Sequence, residues 1–322
     1  MKHVKRFLPV LVLATLVPAS QAGGAARPAA LALVTAESLN QLVAVQPQTG
    51  RVVKRLRMPA DPQNVEAYAG AAAVVSTQGG AVTLVDPRTL RILKTIRGFA
   101  SPHIAAFSPD GEYLYVTDDA RGELAVIRGR VLRKLFVGHG AHHLAFSPDQ
   151  RRVWIALGER ATAIAVVDTS RVARPRLLGR IDPHGLAHDL AFTPDGRYVW
   201  VTYDDRSTLR VFAARSGRPV ATLYAGPPPA HVRFDDASGL TQFGRYAYVT
   251  SGNAGTIRVF DWSTRRLVRT LGTPTGSFNL SIDRGVVATA SLTRGIVTEF
   301  AGGRRRSDRV APATRDIALV TP

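Results

Sequence analysis

Short apolar runs, each closed by a turn rich in proline, glycine or aspartate, follow one another along this chain at a spacing too short for helices. One phrase repeats: "SPHIAAFSPDGEYLYVT" at 101–117, "AHHLAFSPDQRRVWIAL" at 141–157, "LAHDLAFTPDGRYVWVT" at 186–202, and more loosely "PAHVRFDD…GRYAYVT" within 229–250. Phe107, Phe146, Phe192 and Phe234 head the matching turns with steps of 39, 46 and 42 residues, the period of one propeller blade. Within a unit, Ile104 to Phe107 reads as an inner strand and Ser108-Pro109-Asp110-Gly111 as a tight turn. "EYLYVT", "ELAVIR" and "RVLRKLF" then read as three further strands. Proline presets the turn and glycine tolerates positive φ, so the hairpin has a local cause.

The second strand of each unit is the clearest to count. It passes through Val34, Val75, Val116, Ile155, Val201, Val249 and Ala288, which predicts seven blades. Helical periodicity is almost absent, so the fold class is all-β: a seven-bladed propeller of four-stranded antiparallel blades. The first blade lacks an inner strand, because "PAALALVT" starts directly at the second. "RDIALVTP" at 315–322 resembles "HDLAFTP" at 188–194, so residues 316–320 are expected to return to the first blade, pair beside residues 31–35 and close the ring.

"FSPDGEYLYVTDD" and "FTPDGRYVWVTYDD" resemble the YVTN-type repeat of bacterial exported seven-bladed propellers. The resemblance is strongest over blades three to six and weaker over blades one, two and seven, where "SPDG" is missing. It implies fold and export better than activity, because such propellers include binding proteins and lactonase-like hydrolases.

Composition changes the picture in three places. There is no cysteine, which excludes disulfides, thiolate metal sites and cysteine nucleophiles, so a metal would need histidine or carboxylate ligands. Residues 1–22 place Lys2, Lys5 and Arg6 before an apolar core from Phe7 to Val17 and a small-residue site at Ala22. This reads as a secretory signal peptide, leaving residues 23–322 as one propeller domain, secreted or periplasmic, with no membrane span in the mature chain and a monomer expected. The formal charge is +18, and residues 1–22 carry three of the basic groups and no acid, leaving +15. Much of it falls on outer strands such as "RVVKRLR" (51–57), "RILKTIR" (91–97) and "RRLVRTL" (265–271), where basic side chains guard unpaired sheet edges. No basic and aromatic interleaving of a stacking platform is present. A specific nucleic-acid partner is therefore not expected, and an anionic envelope polymer is the candidate polyanion.

The candidate chemistry is imidazole. Apart from His3, every histidine lies between residues 103 and 231. His103, His142, His143, His188 and His231 stand at the heads of inner strands, beside the expected mouth of the central channel, with His139 and His184 just upstream. The matching places elsewhere hold Gln63 and Asn64, Phe278 and Asn279, and Arg315 and Asp316. Strand alternation would turn His142 inward and His143 toward a neighbouring blade. The ligand-binding candidates are His103, His142, His188, His231, Asp189, Asn64 and Arg315. His103, His142, His188 and His231 are also candidate ligands of a divalent transition metal, with Asp189 or the Asp118-Asp119 loop contributing an acid.

Two readings of these histidines stand. One is inheritance of an inter-blade hydrogen-bonding residue by copied repeats. The other is a functional mouth. The functional mouth divides again into an exported propeller that binds a protein partner or small ligand without chemistry of its own, and a lactonase-like hydrolase or metal-dependent lyase. No serine-nucleophile elbow, HExxH or phosphate-cradling glycine loop is present.

Overall fold

The computed structural model describes residues 31–68, 70–158, 162–172, 174–235 and 244–320. The signal-like segment 1–22 lies outside them. Seven four-stranded antiparallel sheets follow one another, each running from an inner to an outer strand in chain order. The first blade is the exception in connectivity. Its inner strand is Ile317–Val320, paired antiparallel with Leu31–Ala36 in the register Leu31↔Val320, Ala32↔Leu319, Leu33↔Ala318 and Val34↔Ile317. Each inner strand touches the inner strands of its two neighbours, and the circuit closes from the seventh blade through Ile317–Val320 to the second.

The apolar alternation seen in the sequence is used between blades rather than within one large core. Seven wedge-shaped clusters form, one at each blade junction. Trp154 of blade four packs with Leu190, Val199 and Phe212 of blade five, and Trp200 of blade five packs with Val232 and Phe260 of blade six. Outer strands such as Arg51–Arg57 and Arg266–Gly272 are mostly exposed along their length, so the basic residues lie where the edge argument puts them.

The "SPD" turns share one hydrogen-bond scheme. The Ser108 hydroxyl donates to Asp110 at 2.5 Å and accepts the Tyr113 amide at 3.0 Å, while Asp110 accepts the Glu112 amide. Ser147 with Asp149, and Thr193 with Asp195, repeat it. The fourth turn residue has positive φ, +73° at Gly111 and +70° at Gly196, but in blade four Gln150 occupies that position at φ +60°. A residue with a Cβ is strained there.

Two outcomes follow from this arrangement. Removing residues 315–322 strips a strand whose Ile317, Ala318, Leu319 and Val320 are all at most 9% exposed. Each large apolar side chain contributes roughly 1.5–3 kcal/mol, so the truncated chain is expected to lose several kcal/mol in a denaturant titration. Equal midpoints for both chains would show that the ring does not depend on this closure. Gln150→Gly relieves the left-handed strain and is expected to raise stability by about 0.5–1 kcal/mol; a lower denaturation midpoint would contradict that assignment of strain.

Candidate functional site

The channel mouth is built from pairs of residues at equivalent places in the seven blades. In blades two to seven these are Gln63-Asn64, His103-Ile104, His142-His143, His188-Asp189, Ala230-His231 and Phe278-Asn279, and in blade one Arg315-Asp316. The residue after each pair is a small or apolar one that is buried: Val65, Ala105, Leu144, Leu190, Val232, Leu280 and Ile317. Each pair is therefore anchored by a core side chain immediately downstream, which aims its own side chains at the lumen.

The threonine of the second strand fixes the backbone of these pairs. Thr117, Thr202 and Thr250 accept the amides of Ile104, Asp189 and His231 in their own blades. The same hydroxyls donate to the carbonyls of His142, Ala230 and Phe278 in the next blade. Thr35 accepts the Asp316 amide in the same way. The threonine of "YVT" is thus an inter-blade link, and it sets how far apart neighbouring imidazoles stand.

The second residue of the pair makes a further link in four blades; in blade seven Asn279 donates to the Arg315 carbonyl at 2.9 Å, and in three others the side chain accepts an amide of the next blade. Asp316 accepts the Val65 amide at 2.9 Å, Asn64 accepts the Ala105 amide at 3.0 Å, and Asp189 accepts the Val232 amide at 3.0 Å. Asn64 also donates to Asp316 at 2.8 Å, so both its polar atoms are committed to holding blades one, two and three together. Arg315 stands at the rim, where its guanidinium meets Glu37 at 3.4 Å.

Five imidazoles converge. Ring centroids lie 3.4 Å apart for His103 and His142, 4.9 Å for His142 and His143, 4.7 Å for His143 and His188, and 4.6 Å for His143 and His231. Two trios, His103-His142-His143 and His143-His188-His231, each bring one ligand atom per residue within 4.8 Å of one another. Carboxylates back one trio. His188 Nδ1 is 3.0 Å from Asp204, while His143 Nδ1 and His231 Nδ1 are 3.5 and 3.3 Å from the two oxygens of Asp189. Among the described residues, neither ring nitrogen of His142 has a hydrogen-bond partner.

His143 departs from the sequence expectation. It does pack toward blade five through Asp189, yet it is the common member of both trios. Its strand begins only at Leu144, so alternation does not govern His142 and His143, and both rings reach the mouth. Asp118 departs as well. It is buried and accepts the amides of Ala100 and Ser101, which commits it to its own loop, whereas Asp204, from the matching loop two blades on, reaches His188. His139 packs edge-on against Phe136, and His184 pairs with Asp182 at an exposed corner; neither belongs to the cluster.

Burial pushes the imidazoles toward the neutral form. His103 and His143 are held well below the usual histidine value by burial and then by neighbouring rings, His142 and His231 respectively. His142 falls to about 3, from burial and His188, and His231 to about 4, where burial outweighs the attraction of Asp189. Asp189 is the opposite case. Burial alone would raise it, but Arg233 at 2.8 Å and His231 hold it ionised and below the usual carboxylate range. His103, His142, His143 and His231 are thus held toward the neutral form beside a fixed negative charge, which is the protonation state metal ligation needs.

Above the rings lies a cavity of about 340 Å³, lined by the five histidines with Gln63, Asn64, Asp204, Pro229, Phe278 and Arg315 among others. Deeper in the channel a second cavity of about 190 Å³ is lined by Glu66, Arg233, Ser281 and Asp316. Burial, partly offset by Arg233, raises Glu66 from 4.5 to about 7.

A seven-bladed propeller with an imidazole cluster at its mouth is thus the class that fold and site define. No family model matches the chain, and no curated protein matches it. Among solved structures it is similar to a functionally unknown protein from Desulfotomaculum acetoxidans, at 13% identity and a TM-score of 0.78 over 91% of this chain and 99% of that one. It is also similar to Kuenenia stuttgartiensis hydrazine synthase, at 17% identity and a TM-score of 0.63 over 74% and 76% of the two chains. At such identities the likeness establishes the propeller fold alone.

Glu66 gives this channel a pH dependence. The folded chain keeps the Glu66 proton up to about pH 7, whereas the unfolded chain releases it near 4.5. Stability contributed at this site therefore falls as pH rises between those values and stays lower above them. Glu66→Gln should be more stable than the parent at pH 8, by an amount on the order of 1–3 kcal/mol, with little difference at pH 4.5. An equal gap at both pH values in denaturant titrations would show that Glu66 is not held protonated.

Proposed function

We propose that this chain is an exported propeller of the YVTN type whose channel mouth binds one divalent transition-metal ion and, over it, a small ligand. The observation that carries this reading is the carboxylate-backed trio. His188 Nδ1 lies 3.0 Å from Asp204 and His231 Nδ1 3.3 Å from Asp189, and a carboxylate behind a ligating imidazole fixes its tautomer and raises its basicity; His143, 3.5 Å from Asp189, completes the trio. Three imidazole ligands suit zinc, copper, cobalt or nickel rather than magnesium or calcium. The signal-like residues 1–22 support export, and Arg315 at the rim would favour a small anion over a cation as the second ligand.

Binding without covalent chemistry fits the site better than acid–base catalysis by the rings, because His142 at about 3 is a poor general base near neutrality. The hydrolase or lyase reading keeps one support. Three protein ligands leave a coordination position open toward the cavity, where a metal would lower the pKa of a bound water.

Metal analysis of the protein after zinc or cobalt loading and gel filtration tests the proposal. One ion per chain is expected, with the His188→Ala/His231→Ala variant losing it and still melting as a folded propeller. Asp204→Asn should weaken affinity about 10–100-fold. A parent chain that retains no ion from any of zinc, cobalt, nickel or copper would remove this reading.

A further inference from the structure

The turn between the third and fourth strands of blade four departs from its counterparts. In blades two and six this hairpin closes at Asp86↔Arg91 and Asp261↔Arg266, across residues 87–90 and 262–265, whereas in blade four it closes at Asp168↔Arg176, across the longer segment 169–175. That segment carries Arg171 and Arg174. Protection of a sheet edge accounts for arginines along outer strands, but these two stand on a turn and are exposed. The loop beneath them is held in place. Thr169 bonds through its amide and hydroxyl to the carbonyls of Arg151 and Gln150, and the buried Tyr115 of blade three donates its hydroxyl to the Val172 carbonyl at 3.0 Å.

Between this loop and the outer strand of blade three lies a cavity of about 710 Å³, lined by Arg133, Arg171, Arg174 and Arg176 with Asp168 and Ser170. A second cavity of about 600 Å³ shares Asp168 and Ser170 and adds Arg151, Arg152 and Asp149. Both acids are already committed. Asp168 meets Arg176 at 2.9 Å and accepts the Ser170 amide, while Asp149 accepts the Ser147 hydroxyl and the Arg151 amide. Among the described residues, Arg133, Arg171 and Arg174 have no ion pair. Six guanidiniums against two carboxylates leave the groove four positive charges in excess. No aromatic side chain lines either cavity, so the groove offers charge without a stacking platform.

We infer that this groove is a second binding site, independent of the channel mouth, for a linear polymer of phosphate units. A carboxylate presents two oxygens in one plane and is satisfied by a single guanidinium fork, whereas a phosphate group accepts from guanidiniums on several sides. Arg133 stands on blade three and Arg171 and Arg174 on blade four, so donors reach the cavity from both of its walls. A single phosphate would engage only the first cavity. The continuation past Ser170 to Arg151 and Arg152 provides for the next units of a chain. A single-stranded nucleic acid fits less well, because its bases would find nothing to stack on. The basic excess of the whole chain draws a polyanion toward the protein, and the groove decides where it docks.

Binding of fluorescently labelled inorganic polyphosphate to the full chain, titrated at several salt concentrations, tests this. Arg171→Ser/Arg174→Ser should bind about tenfold or more weakly and lower the slope of log affinity against log salt by roughly one to two. Its thermal unfolding should match the parent's, because both side chains are exposed and unpaired. Arg304→Ser/Arg305→Ser removes the same charge from the exposed outer strand of blade seven and should keep the affinity within about twofold of the parent's. Equal losses in the two variants would overturn the site, by making the attraction a property of overall charge. A parent chain that binds no polyphosphate even at low salt would overturn it outright while leaving the reading of the channel mouth untouched. Single-stranded DNA of equal charge binding more tightly than polyphosphate would overturn the choice of ligand. Inorganic phosphate competing as well as the polymer at equal phosphate concentration would overturn the extended groove.

Discussion

The inter-blade hydrogen bond at the head of the inner strand is the constraint on which this molecule depends. A propeller exposes the amides and carbonyls of its innermost strands to the lumen, and backbone groups left unpaired there are costly. Thr117, Thr202 and Thr250 resolve it by accepting from their own blade and donating to the next. Asn64, Asp189 and Asp316 add links of a second kind. The apolar wedges supply most of the burial, through contacts that carry no direction of their own. The polar links fix the angle between blades, and with it the distance between side chains that stand on different blades.

That dependence explains how four blades can bring five imidazoles together. His142 receives the Thr117 hydroxyl of blade three on its carbonyl, and Ala230, immediately before His231, receives the Thr202 hydroxyl of blade five, so the backbone at each place is tied to the preceding blade as well as to its own strand. Asp189 then couples the structural layer to the chemical one. It caps the Val232 amide, pairs with Arg233, and faces both His143 and His231. A single buried carboxylate both joins blades five and six and backs the imidazole of His231.

The repeat phrase carried the fold in full view. Seven second strands could be counted, and the missing first inner strand had its echo in "RDIALVTP", because strand period and closure are properties of local sequence. Convergence of histidines at one mouth was legible for the same reason, since equivalent positions in successive blades share a face. Three things were not. The membership of His143 depended on where its strand begins. The choice of Asp204 over Asp118 as the acid depended on loop shape, and the approach of Asp189 to His231 and the Val232 amide depended on the angle between blades five and six. Each is set by inter-blade geometry, which no single repeat encodes.

That geometry also shows which residues at this mouth share the inter-blade capping role. If copied repeats had kept a polar residue here only to cap the next blade's amide, the residue type performing that job should be the one retained throughout. Asn64, Asp189 and Asp316 perform it with short side chains that reach the following amide. His143 and His231 stand at the same position and turn Nδ1 to Asp189 instead. His103 and His142, one residue earlier, sit where other blades have Gln63, Ala230, Phe278 and Arg315, a set with no common hydrogen-bonding role. Inheritance therefore accounts for why these places face the lumen, but not for why blades three to six fill them with imidazole.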